Sequence, residues 1–176
     1  DDSFYFRDTA VFGGIIDAGA GIDILDYSNY ANGVNISFYE GKATGTTGIT
    51  GFENLTGSSY DDILTGDDQN NWIKGGAGDD IISGLGGDDT YYYTDGFGND
   101  QINEAEGGGN DILDLKALTG KLTFTFGNDF TTLAGTGGTV GYNRAYVEDY
   151  VSNGQEKTFI LYDGAVINDK LDGQAG

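Results

Sequence analysis

Large apolar residues recur every nine positions through the middle of the chain, between runs of glycine and acidic residues. The consecutive units are residues 57–65 (GSSYDDILT), 66–74 (GDDQNNWIK), 75–83 (GGAGDDIIS) and 84–92 (GLGGDDTYY). Position eight of these units holds Leu64, Ile73, Ile82 and Tyr91. Because strand side chains alternate between faces, each unit predicts a three-residue strand whose middle side chain points inward.

The first six residues of each unit predict a tight turn. Glycine recurs there, and it tolerates positive φ without steric cost, whereas proline is absent from the whole chain. A weaker unit precedes the four, with Gly48, Gly51, Glu53 and Leu55 in the same register. Residues 19–25 form an outlying copy, and beyond residue 92 the pattern continues at 96–102 and 107–113 with two residues inserted per unit.

A three-residue strand cannot bury itself, so successive turns must stack around a shared core. Two strands and two turns make one coil of 18 residues, so every second turn lies on the same side. The predicted fold is all-β, a parallel β-roll or β-helix over residues 48–114. Residues 1–47 are predicted to extend or cap the roll, and residues 115–176 to form a small β cap at its C-terminal end.

The flanking segments carry weaker strand patterns. Residues 34–38 (VNISF) alternate as a half-buried strand should, and Leu122, Phe124 and Phe126 alternate with threonine. Asn153 and Gly154 form a hairpin turn signal before a strand at residues 157–162. We therefore expect the C-terminal cap to be partly antiparallel, covering strand edges that the roll would otherwise expose.

The charge balance narrows the possible partners. With 8 Lys and Arg against 29 Asp and Glu, the net charge is −21. Residues 57–114 carry 12 Asp and 2 Glu against Lys74, a net of −13. Nucleic acid is excluded as a partner because phosphate binding needs a basic surface. Such a chain needs cations to offset its self-repulsion.

Several kinds of site and segment are missing from the sequence. The absence of Cys and His removes disulfides, thiolate sites and the usual zinc ligand. No apolar run is long enough to span a membrane. The first residues do not resemble a signal peptide.

The spacing predicts calcium sites between stacked turns. Ca²⁺ takes ~6–8 oxygen ligands and accepts carbonyls together with carboxylates, whereas Mg²⁺ resists dehydration. One ion is expected between Asp62 and Asp80, and the next between Asp80 and Asp100. On the other side the pairs are Asn71 with Asp89 and Asp89 with Asp111. The candidate ligands, by side chain or turn backbone, are Asp62, Asn71, Gly75, Gly76, Ala77, Gly78, Asp80, Gly84, Gly86, Gly87, Asp89, Gly96, Gly98, Asp100, Gly109 and Asp111.

Two details qualify this ligand set. Asn71 lacks a charge, so its site should be weaker. The turn at residues 57–62 lacks glycine at positions two and four and is expected to be distorted. Because stacked carboxylates repel without metal, folding should be coupled to calcium binding.

Three other functions fit the sequence less well than calcium binding. No metalloprotease, phosphate-loop or nucleophile-elbow motif occurs, and the period gives the paired carboxylates a structural role, so we expect no enzyme activity. The alternative is a polysaccharide-binding or adhesive module of a secreted polysaccharide-modifying enzyme or surface adhesin. Trp72 and the run Tyr91 to Tyr93 could stack on sugars of an acidic or neutral polysaccharide, although packing on a neighbouring strand or the cap is favoured for Trp72. An ice-binding face would need threonine rows, which position seven does not provide.

The repeats resemble the nonapeptide G-G-x-G-x-D-x-U-x of RTX (repeats-in-toxin) proteins, where U is a large apolar residue. Residues 75–83 match it fully, residues 84–92 depart at Leu85, and the specific resemblance covers residues 48–114. These repeats are similar to modules of mannuronan C5-epimerases, serralysin-type proteases and RTX adhesins. Residues 122–168 resemble the haemolysin-type calcium-binding-related segment that often follows, through residues 122–126, 147–150 and 160–164.

The resemblance implies a right-handed roll, export of a bacterial protein by type I secretion, and folding in calcium outside the cell. It also implies a module that stabilises a parent protein whose active or adhesive part lies elsewhere. The last residues, 171–176, do not resemble a complete export signal, and the sequence leaves open whether the chain is a fragment. The sequence leaves open whether residues 1–47 bind ions.

Overall fold

The computed structural model describes residues 1–104, 108–126, 131–142, 149–152 and 157–161. All regular secondary structure in this part of the chain is β-strand. The prediction of an all-β protein is confirmed for this part of the chain. The first nine strands are β1 (Ser3–Asp8), β2 (Ile15–Asp17), β3 (Ile24–Tyr30), β4 (Asn35–Ser37), β5 (Lys42–Ala43), β6 (Gly48–Thr50), β7 (Asn54–Thr56), β8 (Ile63–Thr65) and β9 (Trp72–Lys74). They are followed by β10 (Ile81–Ser83), β11 (Thr90–Thr94), β12 (Gly98–Ile102), β13 (Ile112–Ala117), β14 (Leu122–Phe126), β15 (Thr131–Gly135), β16 (Gly138–Tyr142), β17 (Asp149–Ser152) and β18 (Lys157–Leu161).

Consecutive strands of the repeat region alternate between two sheets. One sheet has the order β1-β3-β7-β9-β11-β13-β17, the other has the order β18-β14-β15-β16-β12-β10-β8-β4-β5, and β2 pairs with β6. The repeat strands pair in parallel at the expected offset of 18 residues, since Trp72 faces both Asn54 and Thr90. The offset grows to 20 where Ile81 faces Gln101, as the inserted residues require.

The core is built from position eight of each unit. Leu55, Leu64, Ile73, Ile82 and Tyr91 are at most 1% exposed. Position seven faces outward, and both Ile63 and Ile81 remain 46% exposed. The predicted alternation of inward and outward side chains is therefore confirmed, and it follows from the strand period of two residues.

The first 47 residues continue the same sheets. Ile24 of β3 faces Asn54 of β7, and Asn35 of β4 faces Ile63 of β8, which confirms the strand predicted around residues 34–38. Aromatic rings join the buried aliphatic side chains of Leu25 and Ile36 in the interior here. Phe6 stacks on Tyr27 with ring centroids 4.7 Å apart, and Phe4 meets Phe52 edge to face at 5.3 Å.

The described C-terminal strands mix parallel and antiparallel pairing. β15 pairs antiparallel with both β14 and β16, while β16 adds in parallel to β12. The hairpin turn predicted at Asn153 and Gly154 lies outside the described part of the chain. Of the strands on either side of it, β17 pairs with β13 and β18 pairs with β14, in different sheets. A hairpin joins β15 to β16, where Gly137 has φ 103°.

A matched pair of truncations tests the inward and outward assignment. Ile82→Ala should lower the free energy of unfolding by about 2–5 kcal/mol because it leaves a cavity in the core. Ile81→Ala, one residue earlier on the half-exposed face, should cost less than about 1 kcal/mol. Urea unfolding in saturating calcium measures both, and equal losses would contradict the assignment.

Candidate metal centre

The position-six side chains are enclosed by the protein although they are acidic or polar. Asp62, Asn71, Asp80, Asp89, Asp100 and Asp111 are at most 4% exposed. The strand registers divide them into two columns, as predicted. One column follows the nine-stranded sheet: Asp62 and Asp80 precede its strands, and Asp100 lies within β12. The other column follows the seven-stranded sheet, whose strands are preceded by Asn71, Asp89 and Asp111.

Each column is connected by hydrogen bonds from backbone to carboxylate. Oδ1 of Asp80 accepts the N–H of Asp62 at 2.9 Å, and Oδ1 of Asp100 accepts the N–H of Asp80 at 3.0 Å. On the other side, Oδ1 of Asp89 accepts the N–H of Asn71 at 2.7 Å, and Oδ1 of Asp111 accepts the N–H of Asp89 at 2.9 Å. One carboxylate oxygen therefore fixes the spacing of successive coils.

The second oxygen is the candidate metal ligand. Oδ2 of Asp80 and Oδ2 of Asp89 are buried and have no hydrogen-bond partner among the described residues. A buried carboxylate oxygen without a partner is costly, and a cation would remove that cost. Position one leaves room for this oxygen, because a Cβ on Gly75 would lie 2.2 Å from Asp80 Oδ2, and one on Gly84 would lie 1.9 Å from Asp89 Oδ2.

Burial also changes the acidity of these groups. It raises the pKa of Asp80 to about 8, with a further contribution from the neighbouring Asp100 carboxylate. Burial likewise raises the pKa of Asp89 to about 8 and that of Asp100 to about 7. A bound cation would act in the opposite direction, since an adjacent positive charge favours the ionised form.

Two members of the columns differ from the others. Asp62 Oδ2 accepts the N–H of Ser58 at 2.6 Å, and its Oδ1 accepts the Ser58 hydroxyl at 2.8 Å. Asn71 Oδ1 accepts the N–H of Asp67 at 2.8 Å, and its Nδ2 donates to the carbonyl of Glu53 at 3.2 Å. Both side chains have hydrogen-bond partners for their oxygens. A bound cation would therefore stabilise Asp80 and Asp89 more, because one oxygen of each lacks a partner among the described residues.

The turn backbone brings carbonyl oxygens to the same region. Gly76 and Gly78 have φ of 121° and 116°, and a Cβ on Gly76 would lie 1.9 Å from the carbonyl oxygen of Ser58 in the preceding coil. A Cβ on Gly98 would meet the carbonyl oxygen of Gly78 in the same way, and a Cβ on Gly109 would meet that of Gly87. Glycine is required where stacked turns approach this closely.

The remaining predicted backbone positions lie around these contacts. Gly86 donates its N–H to the carbonyl of Asp67 at 3.0 Å, and Gly96 donates to that of Thr136 at 3.1 Å, at the junction with β16. Ala77 is half-buried at position three of its turn. Leu85 adopts φ 81° at the position where the repeat pattern has glycine. The turn geometry is therefore kept there at the expense of a strained leucine backbone.

Position five has a structural role that the sequence reasoning missed. Asp61 Oδ1 accepts the N–H of Asp79 at 2.9 Å, and Asp79 Oδ1 in turn accepts the N–H of Asn99 at 3.0 Å. Asn70 and Asp88 repeat this arrangement on the other side. The recurrence of Asp or Asn at position five was the available signal. In the Asp-Asp pairs, position five thus makes hydrogen bonds between coils, and position six supplies the candidate metal ligand.

The carboxylates are spread along the columns rather than gathered. Across the described residues, no group of three or more Asp, Glu, His or Cys side chains is placed to hold a metal. A cation in this arrangement would take one or two carboxylates and complete its shell with carbonyl oxygens. Calcium accepts such a ligand set.

Trp72 does not offer a free ring face on both sides. Its ring stacks on Tyr92 at 5.0 Å, and Lys74 Nζ lies 5.8 Å from the Tyr92 ring centroid on the same outer surface. The packing explanation for Trp72 is therefore confirmed. Polysaccharide binding stays a prediction.

Comparison with known families identifies the repeats. The RTX calcium-binding nonapeptide repeat is found in four copies, with matches over residues 47–73, 56–91 and 66–102. The matched stretch covers the stacked turns as far as Asp100 and ends before the turn that contains Gly109 and Asp111. The comparison with curated proteins found no match to this chain. In the described part of the chain, no helix is long and apolar enough to cross a membrane.

The raised pKa values predict how pH affects the metal-free protein. Because Asp80 and Asp89 have folded-state pKa values of about 8 against 3.8 unfolded, protonation stabilises the folded state. That stabilisation is complete below a pH of about 4 and is lost as the pH rises through about 8. The folded fraction of calcium-stripped protein, followed by far-UV circular dichroism, should therefore fall over this range.

The control is the double variant Asp80→Asn, Asp89→Asn, in which the fall should be smaller because the two buried groups no longer titrate. Calcium affinity should instead increase as the pH rises, since protons compete with the metal for the carboxylates. Metal-free stability that rises with pH in the same range would contradict the assignment.

Proposed function

We propose that this chain, whose residues 47–102 carry RTX calcium-binding nonapeptide repeats, is a parallel β-roll module that folds on binding calcium and stabilises a secreted parent protein. The observation that carries the proposal is the pair of columns of buried position-six carboxylates. In these columns Asp80 and Asp89 each keep one buried oxygen without a hydrogen-bond partner in the described part of the chain.

The strand order supports a roll. Successive repeat strands alternate between two sheets and pair in parallel with the strand two places along. A chain that winds this way traces a flattened helix with one turn at each end of every coil. We propose a right-handed winding, because connections between parallel strands of one sheet are right-handed in nearly all proteins.

Calcium explains why such a module would fold outside the cell. The net charge of −21 and the buried carboxylates oppose the folded state without metal. Extracellular calcium modules bind with dissociation constants of about 10⁻⁴–10⁻³ M, far above cytosolic calcium levels. The chain would then remain unfolded during type I secretion and fold on reaching calcium.

A non-catalytic role follows from the way the carboxylates are used. Position-five side chains hold coils together, and position-six side chains are enclosed between turns. We therefore propose that the module contributes stability and that any enzymatic or adhesive activity belongs to other parts of the parent protein.

A calcium titration of the stripped protein, followed by far-UV circular dichroism, tests the coupling of folding to metal. The β-sheet signal should rise cooperatively with calcium because several stacked sites share their ligands. Magnesium at the same concentrations should produce little change. A full β-sheet signal before any calcium is added would refute calcium-dependent folding.

A neighbouring pair of substitutions tests position six directly. Asp80→Asn keeps the acceptor for the Asp62 N–H but removes a charge that two ions would share. Calcium affinity should fall at least ~10-fold. The metal-free variant should be more stable than the wild type near a pH of about 8, because its buried charge is gone.

Asp79→Asn is the matched control. It makes the same charge change at exposed position five and retains the acceptor for the Asn99 N–H. Its calcium affinity, measured by isothermal titration calorimetry, should stay close to that of the wild type. Equal losses in the two variants would mean that net charge, rather than the position-six ligand, controls binding.

A further inference from the structure

The turn that precedes β3 lies outside the matched repeats but stacks in the same column. Ile24 faces Asn54 in the sheet, so Asp23 stands opposite Glu53 just as Asn71 stands opposite Asp89. Gly19 and Gly21 have φ of 85° and 144° in this turn. The local backbone therefore resembles that of the repeat turns, although the connection to the next coil is longer.

Asp23 shares its burial and an unpartnered oxygen with the candidate ligands of the repeats, but the amine of Asp1 also lies near it. Its side chain is 0% exposed. Oδ1 accepts the N–H of Asp2 and lies 3.6 Å from the amine of Asp1. Oδ2 is buried and has no hydrogen-bond partner among the described residues. This is the arrangement found at Asp80 and Asp89, with one oxygen joining coils and the other lacking a partner.

The opposing turn supplies a second carboxylate and a close carbonyl. Glu53 Oε2 accepts the N–H of Asp23 at 2.8 Å, which continues the backbone-to-carboxylate bonding of the column. Gly51 has φ 74°, and a Cβ there would lie 2.9 Å from the carbonyl oxygen of Gly19. Glycine at this position thus allows the Gly19 carbonyl to approach the space between the two turns.

The other column ends differently. Asp62 Oδ1 accepts the N–H of Val34 at 2.8 Å, so Val34 occupies the place that Asp23 holds in the first column. Valine offers no oxygen from its side chain. The two columns therefore extend unequally toward the N-terminus, and a carboxylate pair continues on one side.

We propose that the turns containing Asp23 and Glu53 form an additional site for a hard divalent cation, with Ca²⁺ as the ion. Asp23 Oδ2 and the Glu53 carboxylate supply charge, and the Gly19 carbonyl is a candidate third ligand. Gly19, Ala20 and Gly21 are exposed, so the turn that carries the Gly19 carbonyl lies at the surface. The site would tie the first 47 residues to the repeats through a bound ion.

Counting bound ions tests this proposal. Protein dialysed to equilibrium at saturating calcium is analysed by inductively coupled plasma mass spectrometry. Asp23→Asn keeps an acceptor for the Asp2 N–H but removes the charge, and the bound calcium per chain should fall by one ion. Glu53→Gln should cause the same loss while retaining an acceptor for the Asp23 N–H.

Asp26→Asn is the control, because the Asp26 carboxylate accepts the N–H of Ser28 at 2.7 Å within the same strand, and the ion count should not change. An undiminished count in both folded test variants would overturn the site while leaving the repeat sites in place. A wild-type protein that binds no calcium would instead refute the proposed function.

A direct observation covers the case in which the variants do not fold. Anomalous diffraction from wild-type crystals grown with calcium should give a peak beside Asp23 and Glu53 in addition to those in the repeats. Peaks confined to the repeat turns, at full occupancy, would overturn the proposal.

Discussion

The fold depends on burying carboxylate groups between stacked turns. Asp80 and Asp89 are almost fully enclosed, and each has an oxygen that no described group satisfies. Such a group opposes folding unless it is protonated or meets a cation. The apolar column at position eight supplies the opposing contribution, since every coil adds one or more fully buried side chains to a continuous core. Under the proposed function, calcium would shift the balance between these two terms toward the folded state.

Positions five and six of the repeat contribute differently to the stacking of successive coils. At position five, Asp61 and Asp79 accept backbone N–H groups from the next coil at the surface. At position six, one oxygen does the same in the interior and the other is left for a cation. The coil spacing is therefore set by backbone hydrogen bonds on both sides of the turn. In the folded module these hydrogen bonds hold the position-six carboxylates at a regular spacing.

The stacking is not uniform along the columns. Ser58 satisfies both oxygens of Asp62, and the amide of Asn71 is bonded at both ends. Val34 and Val140 stand in register with Asp62 and Asp100 at the two ends of one column. Apolar side chains at those places stop the succession of carboxylates. Affinity for cations should accordingly be concentrated around Asp80, Asp89 and Asp100, where acidic groups stack on acidic groups.

The sequence alone determined the repeat strands, their inward residues and the position-six columns. A nine-residue period with glycine turns leaves few ways to bury Leu64, Ile73 and Ile82, so local pattern was sufficient. Tertiary structure decided which strands pair outside the repeats. The strands β17 and β18, for example, pair with β13 and β14 in separate sheets, which no local pattern indicated. Only stacking in three dimensions revealed that Asp23 is buried opposite Glu53, since the 30 residues between them obscure the period. Periodicity fixes local geometry, whereas pairing across long connections depends on contacts that no local pattern encodes.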